Sequence, residues 1–79
     1  MGKFIKEVKR KDLPQIIFDK AKELNYTIGT AFISDGILSV LCSMNNPKDI
    51  EENEGCVNSC ISIKDGELRY GPMRPFPQD

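Results

Sequence analysis

The sequence predicts an α+β fold, one α-helix packed on a four- to five-stranded antiparallel sheet built from two hairpins. Three observations predict it. Two apolar, β-branched runs between Tyr26 and Met44 flank Asp35-Gly36, a pair that favours a tight turn because both central residues take positive φ. A second alternating run, Val57 to Tyr70, flanks Asp65-Gly66 in the same way. Ahead of both, Leu13, Ile16, Ile17, Ala21 and Leu24 recur at helical spacing.

Taken in order, Lys3 to Val8 (KFIKEV) reads as a short edge strand or an arm laid on the core. Its lysines suit an edge, where charge discourages unwanted pairing. The helix is expected to open at Asp12 as a capping box with Gln15, with Pro14 in the first turn where its missing N–H costs nothing. Asn25 is its left-handed stop.

In the first hairpin a two-residue loop pairs Ser34 with Ile37, Ile33 with Leu38, Ala31 with Val40 and Gly29 with Cys42. That register puts Ile33, Leu38, Ala31, Val40 and Cys42 on the helix side. Ile28, Phe32, Ile37 and Leu41 fall on the opposite side, where a solvated face should be polar. Such a face calls for a cover. The polar stretch Asn45 to Gly55 carries Asp49, Glu51, Glu52 and Glu54 and has room for a helical turn from Pro47. In the second hairpin Lys64 meets Glu67 and Ile63 meets Leu68, both favourable pairs. The boundaries read as one domain over 1–71 and a proline-rich tail over 72–79. Pro72, Pro75 and Pro77 resist a ladder, and Met73 and Phe76 could fold back over the bare face.

With 79 residues the chain has room for a single core. A 39% apolar and 29% charged composition is that of a folded globular chain. No apolar run nears the roughly 20 residues of a membrane-spanning helix, and the N-terminus lacks the apolar block of a secretory signal. The expected location is the cytoplasm, with no membrane partner. Net charge is −1, with seven basic and three acidic side chains in residues 1–22 against four and nine in residues 23–79.

Histidine is absent, which removes the commonest general base and zinc ligand together. No pair of carboxylates is set in apolar surroundings. The expectation is therefore no enzyme, with no catalytic residue, metal or cofactor. Cys42, Cys56 and Cys60 lack the paired spacing of a zinc site. In an extended strand Cys56 and Cys60 would stand about 13 Å apart, beyond the roughly 7 Å a disulfide spans. They read as thiols. The glycines form no phosphate-binding pattern.

What remains is binding. The leading expectation is a small non-catalytic binding or inhibitor protein that occupies a partner protein's surface, or pairs with itself. Its contact residues would be Ile28, Phe32, Ile37 and Leu41 together with Asp49, Glu51, Glu52 and Glu54. The alternatives are a nucleic-acid-binding arm through Lys6, Lys9, Arg10 and Lys11, whose affinity would fall steeply with salt, and a small-molecule-binding oligomer. Arg69, Pro72 and Pro75 also fit the spacing of a polyproline ligand.

Overall fold

The computed structural model describes residues 5–73. Five strands form one antiparallel sheet in the order of the chain: β1 (Ile5–Val8), β2 (Tyr26–Ser34), β3 (Ile37–Met44), β4 (Asn58–Lys64) and β5 (Glu67–Pro72). Helix α1 (Gln15–Leu24) lies between β1 and β2 in sequence, and the shorter α2 (Pro47–Glu52) between β3 and β4. The molecule is a plate, 36 × 35 × 20 Å by its α-carbons. Twenty ångströms is the depth of one sheet and one helix layer. The fold is α+β.

The helix stripe is seated as its spacing dictates. Leu13, Ile17 and Ala21 are buried against Ala31, Val40, Cys42 and Ile61, and Phe18 packs at the margin of this cluster. Ile16 stays 49% exposed. Ala31 and Ala21, one from each layer, are small enough to let helix and sheet approach closely. The C-terminus is stopped by Asn25 at φ 62°, its N–H donating to the carbonyls of Ala21 and Lys22.

The N-terminus departs from the capping-box reading. Asp12 ends a 3₁₀ turn, Arg10–Asp12, and the residue before the helix is Pro14, with no side-chain cap. Pro14 is the reason. Leu13 precedes it and is held extended, at ψ 142°, because the proline ring disfavours helical geometry in its neighbour. Asp12 is thereby set apart from the helix start. Gln15 instead donates through Nε2 to Asp19 Oδ1, at 3.0 Å.

In β2–β3, Ser34 faces Ile37, Ile33 faces Leu38 and Ala31 faces Val40. Asp35 and Gly36 join the strands at φ 55° and 77°, and Asp65 and Gly66 join β4 to β5 at 52° and 80°. The pairing of Gly29 with Cys42 does not occur. A bulge between Ile28 and Ala31 puts Ile28 opposite Cys42, so Ile28 turns to the helix side and packs against the core. At Gly29 an added Cβ would stand 3.1 Å from the Leu41 carbonyl oxygen. That contact is tighter than a Cβ ordinarily makes, so glycine suits the close approach of the two strands at the bulge.

β5 runs one residue past the expected boundary: Pro72 faces Ser59, and the Met73 N–H donates to Asn58 O at 2.9 Å. Proline is admitted here because β5 is an edge strand, where a missing N–H costs no ladder bond. Pro75, Phe76 and Pro77, like Lys3 and Phe4, lie outside the described residues, and so does the idea that Phe76 covers the sheet. No helix among the described residues is long and apolar enough to cross a membrane.

Candidate docking face

Strand alternation sorts the side chains of the sheet into two faces. On the face away from α1, register aligns three rows across the strands. One is Ile5, Ser34, Ile37, Lys64 and Glu67; the next is Glu7, Phe32, Ser39, Ser62 and Arg69. The third runs from the bulge through Leu41 and Cys60 to Gly71. Phe32, Ile37, Leu41 and Cys60 are half-buried by their neighbours in the sheet, and Ile5 at the rim is 67% exposed. Among the described residues, no helix or loop is laid on this face. At its β5 side the absent side chain of Gly71 leaves a shallow hollow of about 230 Å³, walled by Cys60, Ser62, Arg69 and Met73.

The sheet divides the residues expected to act together. Phe32, Ile37 and Leu41 share the outer face, whereas Ile28 has moved to the helix side with the bulge. Asp49 and Glu52, on α2, border a cleft of about 360 Å³ with Leu24, Tyr26, Met44 and Tyr70, which belongs to the helix side. Asn46 caps α2 by accepting from the Lys48 N–H at 3.0 Å. In the cleft, burial pushes the Tyr26 phenol above its ordinary pKa, and the Asp49 carboxylate adds to the rise. Glu51 and Glu54 are exposed. Asp49 and Glu52 thus stand apart from the outer face of Phe32, Ile37 and Leu41.

Outer-face residues from β1, β4 and β5 went unread in the sequence: Ile5, Glu7, Cys60, Ser62, Arg69 and Gly71. Alternation in β4 did carry a signal, because Ser59, Ile61 and Ile63 facing the core send Cys60 and Ser62 the other way. Placing them beside Phe32 and Leu41 required knowing that β4 pairs with β3.

The basic residues of the expected arm lie on β1 and in the turn that follows it. Lys6 sits on β1 in the row of Ile33, on the helix side, and Lys9, Arg10 and Lys11 occupy the turn before α1. Arg10 lies over the Phe18 ring, 5.5 Å from its centre, and Lys20 over Tyr70 at 4.8 Å.

The three cysteines are free thiols. Burial pushes Cys42 up to about 11, with Cys60 adding to the rise, and burial raises Cys60 too. Cys56 donates its S–H to the Met73 carbonyl at 3.2 Å. Adjacent strands place Cys42 and Cys60 on opposite faces, since Cys42 pairs with Ser59 and Cys60 with Leu41. Among the described residues, no group of three His, Cys, Asp or Glu side chains is arranged to hold a metal ion.

Fold and face together define a class: a two-layer α+β domain whose outer sheet face carries Phe32, Ile37 and Leu41 with no described element over them. Compared with known protein families, curated proteins and solved structures, the chain matches none of them.

Proposed function

We propose that this is a non-catalytic binding protein that works by laying the outer face of its sheet on another protein surface. The observation that carries the reading is the state of Phe32, Ile37 and Leu41, which share one face with no described element over them. A sheet between a helix and water ordinarily alternates apolar with polar. Here the outer rows instead hold an aromatic and two large aliphatic side chains near the centre of the plate, with small serines between them. Aromatic anchors near the centre of a patch are what protein interfaces concentrate.

The direct test is Phe32→Asp. A domain of this size holds about 5 kcal/mol of net stability, and burying a charge at a core position would exceed that. At a docking face the variant keeps the circular dichroism spectrum and cooperative melting of the wild type and loses the partner that wild type retains on an affinity column. An unfolded Phe32→Asp variant would place the ring in the core and end the reading.

A further inference from the structure

We infer that the surface received by this face is a second copy of the same chain, stacked sheet to sheet about a two-fold axis parallel to β3. The inference rests on the docking reading above and names its occupant. It follows from the symmetry of the strand order. β3 is the middle strand of five, so two strands lie on each side of it. A two-fold axis running along β3, midway between two facing sheets, lays β1 over β5 of the second copy and β2 over its β4. Rotation about that axis preserves position along the strands, so each row meets the same row.

The rows are complementary under that operation. In the row of Ser39, Glu7 at one edge is brought over Arg69 at the other, and this happens twice, once on each side of the axis. Phe32 comes over Ser62, beside the hollow of about 230 Å³ at Gly71. A large ring thus meets a small residue and a shallow depression. On the axis itself Ile37 and Leu41 meet their own copies, and Ser39 between them is small enough for close approach. The row of Ile37 is less well matched, with Ile5 over Glu67 and Lys64 over Ser34. Those pairs lie toward the solvated rim, where mismatch costs little.

Two packed sheets keep their strands within about 30° of each other and about 10 Å apart. If the axis tilts from β3 by half that angle, facing residues two strands out move by about 5 Å, a shift the long Arg69 side chain can follow. Among the described residues Arg69 pairs with Glu67, at 3.4 Å, with both side chains well exposed, and so exposed a pair holds it weakly. The face measures about 24 Å across five strands and about 20 Å along them. That is roughly 500 Å² in projection, and more with side-chain relief, against about 600 Å² per partner where specific interfaces begin.

The experiment is sedimentation equilibrium of the full chain from about 1 µM to 1 mM, a span that brackets an interface of this size. The wild type is expected to pass from 8.9 kDa to twice that mass. Folded Phe32→Asp is expected to remain at the lower mass. Glu7→Arg and Arg69→Glu each set like charges together twice, and each is expected to weaken self-association about tenfold. Mixed one to one they restore both pairs, so the mixture is expected to associate as the wild type does.

A wild type that stays at 8.9 kDa throughout overturns the inference. So does doubling that ignores Phe32→Asp, or charge variants that do not recover on mixing. A chain that pairs only after removal of residues 74–79 also overturns it, and makes that segment the occupant. The two readings fail separately. A single-copy wild type with a stably folded Phe32→Asp variant ends the pairing and leaves the docking face. A single-copy wild type whose Phe32→Asp variant unfolds ends both. The charge swaps lie at the rim and report on pairing even if the Phe32 variant fails to fold.

Discussion

Ser59 is fully buried on the helix side of β4, between Cys42 and Pro72, and among the described residues its hydroxyl has no hydrogen-bond partner. A hydroxyl taken out of water without a partner costs about 1–3 kcal/mol. Ser59→Ala removes that cost and almost no volume. It is expected to raise the urea midpoint, by about 1 kcal/mol in stability; a lower midpoint would mean the hydroxyl is satisfied. Cys42 gives a pH signature. Its folded-state pKa, about 11, lies above the unfolded value of 9.0, so the folded state favours the neutral thiol. The contribution is intact below about pH 9 and is lost as pH rises toward 11. Unfolding followed at pH 8 and pH 10.5 should show a decline on the order of 2 kcal/mol from this group. Cys60 and Tyr26 shift in the same direction, so Cys42→Val should remove part of the decline and leave the rest.

Among the elements, the ends of the two helices separate what local sequence decides from what it does not. Asn25 at the end of α1 was legible, because a short polar side chain tolerates the left-handed geometry that a helix stop needs. Asn25→Ala, forced to φ 62°, is expected to cost about 1 kcal/mol in thermal or urea unfolding. Asp12 misled: capping residues at the right spacing were present, but Pro14 between them dictated an extended Leu13. Asp12→Ala is accordingly expected to change stability by less than about 0.5 kcal/mol, whereas Asn46→Ala, which removes the cap of α2, should cost about 1 kcal/mol. The β2 bulge was not legible either. Period-two alternation assumes an unbroken register, and the approach of Gly29 to the Leu41 carbonyl is a contact between strands. Gly29→Val should therefore destabilise the hairpin by about 1–3 kcal/mol, read from the same unfolding curves.

At the scale of the molecule, the helix stripe and the hairpin pairings follow from residues close together in sequence, and these parts of the fold could be read. The composition of the outer face could be read in half. Phe32, Ile37 and Leu41 announce themselves within one hairpin, while Glu7, Ser62 and Arg69 join them only through pairings between distant segments. Asp49 and Glu52 were expected beside the outer face and border the helix side for the same reason: they line one cleft with Tyr26 and Met44, which no spacing in 45–55 reveals. Even the helix layer is incomplete, since Ile33 at the hairpin end keeps 41% of its surface exposed.

The margins of the sheet also limit how such plates can accumulate. Among the described residues β1 spans four, Lys6 and Glu7 among them, and β5 closes on Pro72. Margins so brief, charged and proline-tipped make poor templates for endless lateral growth. Stacking by the flat side consumes that side in both members and then stops. A plate paired as inferred above would therefore make a finite particle rather than a ribbon.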